Sequence, residues 1–146
     1  MSAKLFIRWL WASLDVGLGR SYGIGDGKLN CVVFVISVLR AMYPALDWTT
    51  PHRVLHLDGQ PVGSLANTAK LVEMGVGVET VDASEKGVYV AQGWRGGSGH
   101  CIFLVRRRNG LYICDFSPAD CDGLEPVEWA DIVRRWPSRM LVKLSE

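Results

Sequence analysis

Asn30-Cys31-Val32-Val33-Phe34-Val35-Ile36-Ser37-Val38-Leu39-Arg40-Ala41-Met42 is the stretch that organises this chain. It is apolar nearly all round, which marks an element enclosed by the core. Its β-branched residues make a strand the competing reading. Its length, Asn30 as N-cap and Pro44 just beyond its end favour a helix over 31–42. Gly17, Gly19, Gly23, Gly25 and Gly27 precede it and predict a loop over 17–29 whose backbone can approach a partner closely. Cys31 therefore stands on the first turn of a buried helix. Unpaired N–H groups and the helix dipole favour thiolate over thiol there, and the thiolate is the nucleophile. The backbone N–H of the same residue can help to hold an oxyanion. The competing reading is a core cysteine that only fills space.

On the N-terminal side of that stretch, Leu5, Ile7, Trp9, Leu10, Trp11 and Leu14 give residues 3–16 a wide apolar face and predict a helix. On the other side, Thr50-Pro51 starts a short helix. Ser64 to Met74 forms a second one, stopped by Gly75. Gly87–Gln92, His100–Arg106 and Leu111–Phe116 read as strands. Gly96-Gly97-Ser98-Gly99 forms a flexible turn between the first two, and Asn109-Gly110 a hairpin turn between the last two. Glu128–Trp136 is a helix stopped by Pro137, and Arg139–Leu144 a last strand. Helices first and an antiparallel meander later make an α+β pattern, in one domain spanning 1–146.

His100 opens a strand directly after the glycine turn, and strand starts lie at sheet ends, where an imidazole can face a cleft. Asp115 follows on the returning strand, so the hairpin makes the two neighbours. A carboxylate beside an imidazole fixes its tautomer and stabilises its charged form. Alternation sets Asp115 opposite in direction to Cys114 and Phe116, on the face of Ile113. Ser117 and Asp120 are rival third members, because the strand end is uncertain by a few residues. Trp94, beside the glycine turn, is placed near the cleft. The other tryptophans, at 9, 11, 48, 129 and 136, read mostly as core.

Composition narrows the function classes. The 146 residues carry 16 basic and 15 acidic side chains and a formal charge of +1. Such a balance creates no broad field for DNA or an anionic membrane, so no nucleic-acid partner is expected. No apolar run approaches the ~20 residues needed to cross a bilayer, so no membrane insertion is expected. The N-terminal apolar stretch is interrupted by Arg8 and followed by Asp15, with no small-residue cleavage site. The expectation is a protein made in the cytoplasm without a cleaved leader. Four cysteines, Cys31, Cys101, Cys114 and Cys121, form no CxxC pair and are too sparse for a disulfide scaffold.

Several weaker signals are set aside. His52 and His56 have a zinc-like i, i+4 spacing but lack the glutamate that a metalloprotease helix needs. Cys101, Cys114, Cys121 and His100 match no zinc-finger spacing, so no metal and no cofactor are expected. The glycines at 17–27 lack the preceding strand and the lysine beside Ser or Thr that a phosphate loop requires. Arg106-Arg107-Arg108 reads as a solvated strand end.

Tyr22-Gly23-Ile24-Gly25-Asp26-Gly27-Lys28-Leu29-Asn30-Cys31 resembles the nucleophile segment of the NlpC-type cysteine peptidases. There a tyrosine stands nine or ten positions before the cysteine that opens a helix. Lys86-Gly87-Val88-Tyr89-Val90 is similar to that family's preceding strand, and Gly99-His100-Cys101-Ile102-Phe103-Leu104-Val105 to its Gly-His strand. Gly110-Leu111-Tyr112-Ile113-Cys114-Asp115 lies where the family has its third polar residue. The likeness covers about residues 20–117. It departs from the usual pattern at Asn30-Cys31-Val32-Val33, where Asp-Cys-Ser-Gly is common. It departs again at Asp115, where histidine is common, and at Lys86-Gly87 in place of Gly-Asp.

The resemblance implies a papain-like α+β fold, with N-terminal helices packed on an antiparallel sheet and the nucleophile at the start of a central helix. It implies a Cys31–His100–Asp115 hydrolase without cofactor, with Tyr22, Asn30 and Trp94 on the substrate side. The implied substrate is the peptide stem of peptidoglycan, as in a phage lysin or an antibacterial effector acting in the cell envelope. Related folds also act as toxins on host proteins, by proteolysis, deamidation or acyl transfer, or bind without catalysis.

Overall fold

The computed structural model describes residues 3–17, 31–48, 64–95, 98–115 and 124–146. Their elements, in chain order, are α1 (Ala3–Gly17), α2 (Cys31–Met42), α3 (Ser64–Glu73), β1 (Gly77–Thr80), β2 (Gly87–Arg95), β3 (Ser98–Arg107), β4 (Gly110–Cys114), β5 (Leu124–Pro126), α4 (Trp129–Arg135) and β6 (Ser138–Leu144). The strands form one antiparallel sheet in the order β1-β6-β2-β3-β4-β5. The class is therefore α+β.

The sheet is packed on both faces because each central strand alternates between two buried sets. Val88 and Val90 of β2, and Cys101, Phe103 and Val105 of β3, face α1, α2 and α3. Tyr89, Ala91, Ile102, Leu104 and Ile113 face the other way and are covered by Ile132 of α4 with Val127, Trp129 and Trp136 against it. The larger core centres on Phe103, which is fully buried. Its ring meets Trp9 of α1 edge-on at 5.5 Å and Phe34 of α2 at 6.1 Å, both favourable aromatic geometries. Helix α2 is enclosed because Val35, Ile36, Val38 and Leu39 are all buried, at 3% exposure or less. That settles the helix–strand competition over 31–42 in favour of helix.

Several local expectations are corrected. The sheet is not a simple meander, because β6 inserts between β1 and β2. Strands β1 and β5 had not been anticipated. Each is a short edge strand, four and three residues long, with too little alternation to read from sequence. Strand β3 begins at Ser98 rather than His100, because Ser98 already pairs with Arg95 and Gly99 with Trp94. Gly110 (φ +148°) starts β4 instead of completing the turn, the strand ends at Cys114, and Phe116 lies outside the described residues. Trp11 is 70% exposed, so it is not core. Nor are Arg106 and Arg107 simply solvated. Arg106 Nε donates to the Ala83 carbonyl at 2.7 Å, and the Arg107 guanidinium lies 4.4 Å from the Phe6 ring centroid. The short helix expected from Thr50 lies outside the described residues, as does the loop over 18–29. Among the described residues no helix is long and apolar enough to cross a membrane.

Phe103→Ala is expected to cost about 3–5 kcal/mol in urea unfolding, the range for deleting a buried aromatic ring. A loss under about 1 kcal/mol would show that the core does not centre on this ring.

Candidate active site

Cys31, His100 and Asp115 arrive at one place from three elements. Cys31 is the first residue of α2 and is 4% exposed. One helical turn later Phe34 packs on Phe103, so the contact that docks α2 also lays Cys31 near the start of β3. Cys31 and Cys101 belong to the same buried cluster. His100, the neighbour of Cys101, points to the opposite face of the strand, the face of Ile102 and Leu104.

Register delivers the carboxylate. Phe103 pairs with Cys114, and continuing that ladder by one residue sets Asp115 opposite Ile102. Asp115 is then diagonal to His100 and on its face, within reach of a long or ring-bearing side chain. Its Oδ1 lies 2.6 Å from His100 Nε2. The two side chains are 22% and 17% exposed, so this pair opens to solvent at the sheet end.

The electrostatics follow from those contacts. Burial disfavours a charged imidazole. Hydrogen bonds from the ring to Asp115 and then to Cys31, with attraction to both, outweigh that effect and push the His100 pKa up to about 10. Asp115 occupies Nε2, which leaves Nδ1 for the sulfur. At neutral pH the imidazole is therefore held charged between a carboxylate and a sulfur. The other described thiols differ. Burial, reinforced by the charge of Cys31, holds Cys101 far above the ordinary thiol range. Burial and the charge of Asp115 push Cys114 up to about 12. None of the three is in a disulfide. Cys31 alone among them acts on the His100 ring.

The remaining expected positions are less visible. Tyr22, Asn30, Ser117, Asp120, Cys121, His52 and His56 lie outside the described residues. Trp94 is placed on β2 by its backbone, opposite Gly99, and its side chain is not described. Among the described residues no group of three or more His, Cys, Asp or Glu is arranged to hold a metal ion. One neighbour went unrecognised in the sequence. Trp136, read there as core, is half-buried and stacks on His100, with ring centroids 5.8 Å apart and planes 28° from parallel.

Comparisons with protein-family models, curated proteins and solved structures give no significant match to this chain.

Asp115→Asn is expected to lower the His100 pKa by about one unit or more, the effect of withdrawing an adjacent opposite charge. An NMR titration of the ring nitrogens reads this directly. His100 has a folded pKa near 10 and an unfolded value near 6.5. Its charged form therefore contributes its full stabilisation below about pH 6.5, and that contribution is lost as pH rises through about 10. An unshifted His100 in the variant would show that Asp115 is not its charge partner.

Proposed function

We propose that this protein is a papain-like cysteine hydrolase that cleaves amide bonds, with the peptide stems of peptidoglycan as its substrate. The observation that carries the reading is the His100 imidazole, bonded to Asp115 at 2.6 Å and with Cys31 as its second electrostatic partner. The substrate rests on the likeness of Tyr22–Cys31 and Gly99–Val105 to the NlpC-type peptidases.

In this reading Cys31 Sγ attacks the amide carbonyl carbon, and His100 Nδ1 gives its proton to the nitrogen as the C–N bond breaks. A thioester on Cys31 and a free amine result. Water then adds to the thioester, its proton passing to His100, and the acid leaves as the sulfur is released. Asp115 holds Nε2 throughout and keeps Nδ1 facing the sulfur. The Cys31 N–H, at the open end of α2, is aimed where the oxyanion develops.

One observation favours a second reading. Cys31 is only 4% exposed, as suits a module of the same fold that binds a wall or protein ligand without turning it over. Reactivity separates the two, since a working nucleophile is alkylated by iodoacetamide at pH 6–7 faster than free cysteine, whereas a sealed thiol is not.

Purified protein incubated with peptidoglycan is expected to release new amino groups. Cys31→Ala is expected to lower that release at least about a thousandfold, as removal of a nucleophile does elsewhere. Release that persists in the variant would remove Cys31 from the chemistry. Cleavage of folded proteins in place of peptidoglycan would move the protein among the host-directed toxins.

A further inference from the structure

The stacking of Trp136 on His100 leads to a role for a residue far from the cysteine in sequence. Trp136 caps the C-terminus of α4, its N–H bonded to the Ile132 carbonyl at 3.0 Å, and Pro137 prevents the helix from continuing. Its own carbonyl accepts from Arg139 Nη1 at 3.3 Å. The backbone carrying the indole is thus fixed at both ends.

The seat of the indole is Gly93. This glycine lies inside β2, pairs with His100 on one side and with Arg139 on the other, and is buried. Glycine weakens a strand interior, and Gly93 does not need a positive φ. What it supplies is closeness. A methyl group there would be driven into the Cβ and Cγ of Trp136 and would lie 2.7 Å from Cδ1. The base of the indole therefore sits directly against bare backbone, with its ring stacked on the imidazole. A cavity of about 10 Å³ bounded by Gly93, His100, Ile102, Ile132, Trp136 and Arg139 leaves room for about one water.

We propose that Trp136 is a positioning residue: its indole, seated on Gly93, is the plate that holds the His100 ring in line between Asp115 and Cys31. This rests on the reading of those three residues as the catalytic set. Rotation about χ2 of histidine is soft, so the ring can swing and stretch both of its polar contacts at once. The stacked indole limits that swing. A centroid distance of 5.8 Å also lies within the range at which an aromatic face attracts a cation, so the plate favours the charged ring. Among the described residues the other ionisable groups facing His100 are Asp115 just after β4, Cys31 from α2 and Arg139 from β6, and substitutions at Trp136 leave all of them in place.

The test compares Trp136→Phe, which keeps an aromatic face, with Trp136→Leu, which keeps apolar bulk. Gly93→Ala, which keeps the indole and displaces it, is the third variant. Folding is checked by circular dichroism. NMR titration of His100 in the full chain is expected to show its pKa lowered by about 0.5–1 unit in Trp136→Leu and Gly93→Ala, and close to wild type in Trp136→Phe. Alkylation of Cys31 at pH 7 should slow by about 3- to 10-fold in the same two variants. A folded Trp136→Leu that titrates like wild type would overturn the proposal, and so would equal shifts in Phe and Leu, which would assign the effect to bulk. If Gly93→Ala fails to fold, Trp136→Leu decides. His100 is read without substrate, so a wild type that hydrolyses nothing while His100 shifts as expected would overturn the hydrolase and keep the plate.

Discussion

The contact between Phe34 and Phe103 sets the position of everything at the candidate site. Phe103 meets both Trp9 and Phe34 edge-on, so α1 and α2 share this ring at the centre of the cluster that joins them to β3. From Phe34 back to Cys31 is one helical turn, a rise of about 4.5 Å. From Phe103 back to Cys101 is two strand residues, about 6.6 Å. Both steps are short, so a helix whose phenylalanine rests on Phe103 keeps its first residue near the start of the strand, in the same buried cluster as Cys101. Packing that buries apolar area also brings a sulfur beside an imidazole.

The three groups belong to different layers. Cys31 is part of the core between the helices and the sheet. His100 and Asp115 lie on the face that α4 covers, the face of Ile102 and Ile113. The imidazole near the start of β3 is where the two layers communicate, and its ring is bonded to one group from each. Charge is concentrated at that point, and the interior around it is apolar. Burial there opposes the imidazolium, and it persists only because an acceptor stands at each nitrogen.

Much of this was legible in the sequence for physical reasons. The apolar run from Cys31 to Met42 could be buried on all sides only as a central element, and Asn30 and Pro44 marked its ends. Asn109-Gly110 announced a hairpin, and strand alternation alone puts Asp115 on the face of Ile113. Illegible features depended on long-range docking. The edge strand Gly77–Thr80 exists because β6 lies beside it, and four residues carry no pattern of their own. Trp136 meets His100 only because α4 crosses the sheet over Gly93, and neither the tryptophan nor the glycine signals the other in sequence. The exposure of Trp11 has the same origin, since a helix with apolar residues on several sides does not announce which one will turn outward.

The strand order carries a consequence for how the molecule comes together during synthesis. Among the described strands β1 has a single neighbour, β6, and β2 sits between β6 and β3. On the ribosome β6 emerges after every other strand, so β1 waits unpaired and one edge of β2 stays open until residues 138–144 arrive. Trp136 emerges just ahead of them. The nascent chain can therefore hold a hairpin bearing His100 well before the imidazole acquires its indole support. Assembly finishes from the C-terminal side, and a ribosome stalled before that segment would leave a sheet with exposed hydrogen-bonding edges and an unsupported dyad.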